Sequence, residues 1–264
     1  MTWKIALPMY NLSPRLQQAW EELLGALLDD LDLHVEVELV RSPSLPSFWQ
    51  RPDMLLGHTC GYPYMTQLRD RVTLVATPCF DFPGCDGSDY SSVIVTRASG
   101  GIASLADARG AVAAANDAHS NSGMNALRQV VAPLARDGEF FGRVAWSGSH
   151  AASLRMVRDG DADIAAIDCV SYGYIGEEDQ VSLEGIRVLQ YSASSPGLPL
   201  VAAREAPPEL LERLRRALTN PGPQLAERMR ALHINAFRHV ADADYGRIAQ
   251  LEADARAAGY PLLA

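Results

Sequence analysis

Apolar and polar positions near the N-terminus follow first a strand pattern, then a helix pattern and then a strand pattern again. Residues 3–9 form an apolar run with strand character, and Ser13-Pro14 has the order typical of a helix N-cap followed by proline at the first helical position. Residues 34–40 alternate between apolar and polar side chains and predict a half-buried strand. This order favours a βαβ unit. The apolar residues with helical spacing between the two strands are Leu16, Trp20, Leu23, Leu24, Leu27, Leu28 and Leu31.

Strand and helix patterns continue to alternate through the rest of the chain. Short apolar runs bounded by turn residues predict strands at 54–56, 72–77, 90–97, 111–116, within 140–146, at 163–168 and at 186–192. Helical spacing predicts helices at 103–108, from the polar stretch 117–128 to about residue 134, and after residue 150 as far as Gly160. From residue 207 onward we expect only helices, at 207–218, 224–232 and 242–258.

The predicted elements fall into two α/β blocks. The strand-like segments 90–97 and 186–192 join these blocks, which predicts two lobes connected by a hinge. A cleft between two hinged lobes is a common binding geometry. We therefore assign residues 1–94 and 193–264 to the first lobe and residues 95–192 to the second.

The polar stretch 117–128 joins a predicted strand to a predicted helix. The backbone N–H groups and the positive end of the dipole at such a helix start can hold an anion without a full positive charge. Ordinary N-capping by Ser120 or Ser122 is the alternative explanation. The residues of the first helical turn are, in order, Ser120, Asn121, Ser122, Gly123 and Met124.

A second turn rich in hydrogen-bond donors follows the next predicted strand. It contains Ser147, Ser149 and His150. Because the carboxyl ends of parallel strands lie at the same edge of a sheet, the two helix starts could converge on one anion. Caps placed for stability alone need not be this rich in donors, so the pairing favours ligand binding over capping.

Single residues add to this candidate site. His150 could donate to an anionic oxygen, and its protonation would add a positive charge; a solvated or capping histidine is the alternative. Asp168, at the end of its predicted strand, could hold a ligand ammonium or cap the turn at Val170. Tyr10 and Tyr62 lie on predicted loops of the first lobe and could close over a ligand, or could simply pack in the core.

Composition and charge narrow the functional class. The chain has 264 residues, of which 48% are hydrophobic and 21% charged, and its formal net charge is −9. This acidity and the lack of a Lys/Arg-rich run argue against a nucleic-acid partner. No apolar run reaches the roughly 18 residues of a membrane span, so we expect no direct membrane insertion. The N-terminal residues lack a signal-peptide pattern, which predicts a periplasmic location if an export signal was removed and a cytoplasmic one otherwise.

Signatures of enzymes and metal sites are weak. The chain has no HExxH, no GxSxG, no P-loop and no GxGxxG motif after a strand. His119 and His150 lack metal-ligand spacing and the four cysteines lack CxxC pairs, so we expect no metal and no cofactor. Cys79 and Cys85 flank a short turn, and both a disulfide between them and two free thiols stay open.

Several segments resemble, in collinear order, the phosphonate-binding (PhnD-like) substrate-binding proteins of ABC transporters. The resemblance extends from residues 7–10 to residues 258–260 and so covers nearly all of the chain. The segments that carry it are 90–95, 104–110, 120–123, 148–150 and 161–168.

The resemblance implies a type II periplasmic-binding-protein fold, in which two α/β lobes joined by a two-strand hinge close on a phosphonate, phosphate or related oxyanion. It also implies that Ser120, Ser122 and Gly123, together with Ser149 and His150, supply donors to the oxyanion.

The resemblance also bears on the selectivity for the ligand. Tyr10 and Tyr62 approximately match the first-lobe aromatic positions of the family. At residues 121–124 this chain reads Asn-Ser-Gly-Met, where the family often has an additional hydroxyl and an aromatic residue. We therefore expect oxyanion binding without specifying a phosphonate.

These observations together predict a non-enzymatic solute-binding protein that closes around a small oxyanion for ABC-type uptake or sensing. Its expected partners are this solute and an ABC permease. The alternative is a cytosolic enzyme on the same fold that uses His150 or Asp168 for acid–base work on a small substrate. The expected ligand-binding residues are Tyr10, Tyr62, Ser120, Asn121, Ser122, Gly123, Met124, Ser149, His150 and Asp168.

Overall fold

The computed structural model describes residues 2–33, 36–41 and 43–264. Its strands are β1 Trp3–Ala6, β2 Val37–Leu39, β3 Met54–His58, β4 Val72–Phe80, β5 Cys85–Asp86, β6 Asp89–Tyr90, β7 Ser92–Arg97, β8 Val112–Ala115, β9 Arg143–Trp146, β10 Ile164–Asp168, β11 Ile186–Tyr191, β12 Ser195–Pro196, β13 Leu200–Ala203 and β14 Ile234–Arg238. Its α-helices are α1 Pro14–Leu31, α2 Leu45–Phe48, α3 Gly61–Pro63, α4 Ala126–Val131, α5 His150–Asp159, α6 Cys169–Glu178, α7 Pro208–Thr219, α8 Pro223–Ala231 and α9 Gly246–Ala257. None of the helices in these ranges is both long and apolar enough to cross a membrane.

The first predicted strand and helix are confirmed. Ser13 caps α1 by accepting a hydrogen bond from the Leu16 backbone N–H at 3.1 Å, and Pro14 is the first helical residue. The predicted apolar face of α1 is buried along the length of the helix. The second predicted strand corresponds to β2, although its predicted residues His34 and Val35 lie outside the described residues.

Strand β14 falls in a region for which we expected only helices, so this expectation was wrong. β14 pairs antiparallel with β4, and the register of the pair shifts between Ile234 and Ala236. A β-bulge of this kind buries both Ile234 and Phe237, which are three residues apart. Because three-residue spacing is also typical of a helix face, the pattern did not indicate a strand.

The chain forms two compact units. The second unit includes residues 82–85, 89–94, 193–195 and 246–264, which we assigned to the first lobe from the sequence, and the division into lobes stays a prediction. β7 is an inner strand of that unit's sheet, and α9 packs against α4. The first unit consists of Met1–Asp81, Asp86–Ser88 and Pro196–Tyr245, and the second of Phe82–Cys85, Asp89–Ser195 and Gly246–Ala264.

The first unit is built on a six-stranded mixed sheet in the order β14-β4-β13-β3-β1-β2. β1 is parallel to both β2 and β3, as expected where helices connect successive strands. β13 is antiparallel to β3 and β4, and the chain reaches it after passing through the second unit. Helix α1 packs against α7 and α8, and its buried leucines form part of the core of this unit.

The second unit is built on a five-stranded sheet in the order β11-β7-β10-β8-β9. β8 is parallel to β9 and β10, whereas β7 is antiparallel to β10 and β11. The carboxyl ends of β8, β9 and β10 therefore lie at one edge of the sheet. Each of these three strands leads into a helix start, so three helix N-termini belong to the same edge.

A buried arginine attaches the C-terminal segment to the second unit. The Arg128 side chain is 3% exposed, and it donates to the Asn125 side chain at 2.7 Å and to the Pro261 carbonyl at 2.9 Å. The Asn125 amide in turn donates to the Ile248 carbonyl of α9 at 3.0 Å. These bonds connect α4 to α9 and to the residues beyond it, and Tyr260 is completely buried in the same core.

Replacement of Arg128 by leucine should lower the free energy of unfolding by about 2–4 kcal/mol, because it leaves buried polar partners unpaired. Urea denaturation measures this change. Arg41→Leu is the matched control, since the Arg41 guanidinium bonds the Glu21 carboxylate at 2.8 Å from an exposed position and lies outside this network. We expect that control to lose less than about 0.5 kcal/mol. Equal losses in the two variants would contradict the role given to Arg128.

Candidate functional site

The turn after β8 begins a helix whose first residues are polar. Ser120 is its N-cap, and the Ser120 Oγ accepts a hydrogen bond from the Gly123 N–H at 2.9 Å. The first turn is a π turn, Asn121–Asn125, in which the Asn125 N–H donates to the Ser120 carbonyl at 3.0 Å. The predicted capping role of Ser120 is therefore confirmed.

The cap and a ligand do not compete for the same part of the Ser120 hydroxyl. A serine hydroxyl has one hydrogen to donate and two lone pairs to accept. The bond from Gly123 uses a lone pair, which leaves the hydroxyl hydrogen able to donate to another group. The Ser122 Oγ lies 3.5 Å from the Ser120 Oγ, so the two hydroxyls are neighbours on this turn.

The turn after β9 meets the turn after β8. The His150 Nε2 lies 2.9 Å from the Ser122 Oγ, within hydrogen-bonding distance. Ser149 caps α5 by accepting from the Ala152 N–H at 3.1 Å, and His150 is the first residue of that helix. The structure thus brings together the two helix starts that we paired from the sequence. Ligand binding by them stays a prediction.

The electrostatic state of His150 follows from its burial. Desolvation lowers the pKa of His150 from 6.5 to about 4, since the imidazolium form loses its hydration, and the carbonyl of Ala166 acts in the opposite direction. The side chain is therefore neutral near pH 7. In this structure the donors of Ser120, Ser122 and His150 are neutral dipoles, so the positive charge that we considered for His150 is not expected at neutral pH.

Asn116 lies in this region, and we did not predict it as a site residue from the sequence. A Cβ atom on Gly123 would lie 1.8 Å from the Asn116 Oδ1 and 3.3 Å from the His150 Cε1, so the Asn116 side chain in this position packs directly against the glycine. The Asn116 Oδ1 is buried and has no hydrogen-bond partner among the described residues. Buried polar atoms are usually paired, so Asn116 becomes a candidate ligand-contacting residue. Because its oxygen only accepts, a contact with an oxyanion would come from the NH2 group of the same amide. The position of Asn116 as the last residue of the predicted strand 111–116 was the available signal.

Asn121 and Met124 are both buried in the second unit. The Asn121 amide donates to the Tyr90 Oη at 3.2 Å and to the Ser195 Oγ at 2.9 Å, and its Oδ1 accepts from the Asn125 amide at 3.0 Å. These bonds hold the turn in place from inside the unit. Their number gives Asn121 a structural role, and a ligand contact by Asn121 or Met124 stays a prediction.

Asp168 occupies the third helix start at this edge of the sheet. It is 2% exposed, and its Oδ1 accepts from the Val170 N–H at 2.8 Å and from the Ser171 N–H at 2.9 Å. It is therefore the N-cap of α6, which was one of its two predicted roles. Its other predicted role, contact with a ligand ammonium, remains untested.

Tyr10 and Tyr62 are buried residues of the first unit. The Tyr10 ring packs edge-on against Phe80, with centroids 5.2 Å apart, and against His58 at 5.6 Å. Burial also lowers the pKa of His58 to about 4, so this cluster is uncharged near pH 7. Core packing is the role that the structure shows for Tyr10, and the predicted ligand contacts of both tyrosines stay predictions.

The geometry described above can be compared with known proteins. A family model described as "ABC transporter, phosphonate, periplasmic substrate-binding protein" matches residues 5–245, which is most of the chain. The chain belongs to this family. The phosphonate-binding family consists of solute-binding proteins for ABC transport and not of enzymes, so the predicted functional class is confirmed over the enzyme alternative.

Solved structures share the fold of this phosphonate-family protein. A binding-protein component of an ABC phosphonate transporter from Pseudomonas aeruginosa matches with a TM-score of 0.81 at 18% identity, over 98% of this chain and 87% of that chain. PhnD1 from Prochlorococcus marinus (MIT 9301), solved in complex with methylphosphonate, has a TM-score of 0.81 at 14% identity, with 97% and 98% covered. The periplasmic aliphatic sulphonate binding protein SsuA from Escherichia coli has a TM-score of 0.61 at 16% identity, with 99% and 89% covered. These similarities confirm the predicted α/β periplasmic-binding-protein fold.

We expect His150 to make this phosphonate-family protein less stable as the pH falls. Between a pKa of about 4 in the folded state and 6.5 in the unfolded state, only the unfolded state takes up the proton. The His150 contribution to stability is thus fully present above pH 6.5 and is lost as the pH falls through about 4. The free energy of unfolding, measured with urea, should decrease between about pH 7 and about pH 5. This decrease should be larger by about 1–2 kcal/mol in the wild type than in His150→Gln.

An identical loss of stability in the wild type and in His150→Gln would show that the imidazole of His150 can be protonated in the folded protein without cost.

Proposed function

We propose that this protein binds a small phosphonate- or phosphate-like solute in the periplasm and delivers it to an ABC permease. Membership in a family of periplasmic substrate-binding proteins for ABC transport supports both the compartment and the partner. The hinge-closing mechanism that we expected from the sequence stays a prediction.

The observation that carries the ligand class is the contact between Ser122 and His150. It places the starts of two helices side by side at the edge where β8 and β9 end. Helix N-termini present backbone N–H groups and the positive end of a dipole, and together they favour an anion. The hydroxyls of Ser120 and Ser122 add side-chain donors on the same turn. An oxyanion has the several acceptor oxygens that such a donor set requires.

The donors at this site favour a small tetrahedral oxyanion. Neutral dipoles can stabilise a negative charge while retaining directional hydrogen bonds, and each hydrogen bond to a charged group contributes about 1.5–3 kcal/mol. One solved relative holds methylphosphonate, and another is named for aliphatic sulphonates. Both ligands carry an oxyanion group with three terminal oxygens on one tetrahedral atom, which is the chemistry that we assign to the solute of this protein.

The first test is direct binding measured by calorimetry. Methylphosphonate, ethylphosphonate, phosphate, phosphite, methanesulfonate and acetate form the panel of solutes. Ser122→Ala should weaken binding of the preferred oxyanion by about 1–3 kcal/mol, because it removes one hydroxyl donor to a charged group. Ser104→Ala is the control, since the exposed Ser104 hydroxyl bonds the Asp107 carboxylate at 2.9 Å and should not affect affinity. Binding of none of the oxyanions by the wild type would refute the proposal.

The second test introduces a negative charge at Asn116. Asn116→Asp preserves the shape of the side chain but places a carboxylate against Gly123. Like charges repel strongly where water is excluded, so the affinity for the oxyanion should fall at least about tenfold. Asn220→Asp makes the same change of net charge at an exposed position of the first unit and should leave the affinity unchanged. Equal affinities of Asn116→Asp and wild type would exclude Asn116 from the site.

A further inference from the structure

Two cysteines that are distant in sequence lie side by side in the second unit. The Sγ atoms of Cys85 and Cys169 are 3.5 Å apart, although 84 positions separate the two residues in the chain. Neither sulfur is part of a disulfide bond in this structure. Cys169 is 1% exposed, whereas Cys85 is partly exposed. Cys79, which we had considered as the partner of Cys85, has its own sulfur contact, with the Thr77 carbonyl at 4.0 Å.

Ser91 holds the backbones that carry both cysteines. Its carbonyl accepts a hydrogen bond from the Cys169 N–H at 3.1 Å. Its hydroxyl donates to the carbonyl of Gly84 at 2.8 Å. Gly84, with a φ of +98°, forms the turn from which Cys85 emerges, and this backbone conformation favours glycine. One residue therefore fixes the position of each cysteine relative to the other.

Aromatic packing holds the segment before Cys85 against helix α6, which begins at Cys169. The Phe82 ring packs edge-on against Tyr174, with centroids 4.9 Å apart. The same ring covers Gly173, where a Cβ atom would lie only 2.4 Å from it. The two sulfurs thus lie at the end of a packed contact, 3.5 Å apart, and a disulfide bond requires them to approach to roughly 2.05 Å.

We propose that Cys85 and Cys169 form an intramolecular disulfide when the protein meets a disulfide oxidant, such as oxidised glutathione or a thiol–disulfide oxidoreductase. The Cys85 thiolate attacks one sulfur of the oxidant, forms a mixed disulfide and releases one thiol. The Cys169 thiolate then attacks the sulfur of Cys85 and releases the second thiol. Two protein thiols are oxidised, one oxidant disulfide is reduced, and the two thiol protons end on the two released thiols.

The order of attack follows from the surroundings of the two sulfurs. Cys85 is the more exposed, so it meets the oxidant first. The pKa of the Cys169 thiol is raised by the hydrogen bond between Cys169 and Cys85, by burial and by the nearby Asp168 carboxylate. Burial and the Asp168 carboxylate still act on the Cys169 thiol after the mixed disulfide has formed, so the rate of ring closure increases with pH. The bond connects the start of α6, where Asp168 is the cap, to the turn at Gly84.

The disulfide constrains the unfolded chain, so oxidation should stabilise the protein. After incubation of the full chain with oxidised glutathione, the thiol titre in denaturant should fall from four to two per chain. Peptide mapping without reductant should recover one cross-linked pair that contains Cys85 and Cys169. The Tm of the oxidised protein should exceed that of the reduced protein by roughly 5 °C or more.

Single variants identify the cysteines responsible. Cys85→Ser and Cys169→Ala should each abolish the difference in Tm between oxidised and reduced protein, whereas Cys60→Ser should retain it. Four thiols after incubation, a cross-link to Cys60 or Cys79, or a stable glutathione adduct on Cys85 would each overturn the proposal. None of these outcomes depends on binding of a solute, so the result is separable from the proposed function.

Discussion

The parallel alignment of β8, β9 and β10 is the constraint on which the candidate site depends. Parallel strands end at the same edge of a sheet, and here each of the three leads into a helix start. Every helix start leaves backbone N–H groups that need partners. Ser120, Ser149 and Asp168 satisfy part of this need as N-caps. The helix starts that follow β8, β9 and β10 therefore place hydrogen-bond donors at one edge of the sheet, where we propose that an anion binds.

Capping and ligand recognition are compatible uses of the same serines. An N-cap hydroxyl accepts through its oxygen and retains its hydrogen, so the residue that stabilises the helix can also donate to a ligand. Desolvation at this site removes the positive charge that His150 could otherwise carry. Desolvation keeps its imidazole neutral near pH 7, so a contact with the predicted anion would be a hydrogen bond without a full positive charge.

The second unit takes its structure from three separate parts of the chain. Segment 82–85 packs through Phe82 on α6, and the C-terminal segment is attached through Arg128. The same helix that begins with Ser120 carries Asn125 and Arg128, so the polar network behind the site also fixes α9. Stability of the unit and geometry of the site therefore share one set of buried bonds.

The amino-acid sequence by itself determined the local elements. Helix periodicity and the Ser13-Pro14 signal indicated α1, and the polar stretch 117–128, with a possible cap at Ser120 or Ser122, indicated another helix start, because capping and periodicity depend on residues a few positions apart. Apolar spacing and the terminating Gly160 indicated the helix after residue 150. The order of strands and helices indicated two α/β blocks, and the collinear segments that resemble the phosphonate-binding proteins indicated the family. One strand, β14, was missed because a bulge gave its buried residues the spacing of a helix.

Only the tertiary structure decided which distant residues meet. The contact between Ser122 and His150, the Asn116 side chain against Gly123, the internal bonds of Asn121 and the neighbouring sulfurs of Cys85 and Cys169 all join residues from different elements. Strand order and packing set these distances, and neither can be read from local periodicity. The same holds for the C-terminal segment, whose place in the second unit depends on the burial of Arg128 and Tyr260.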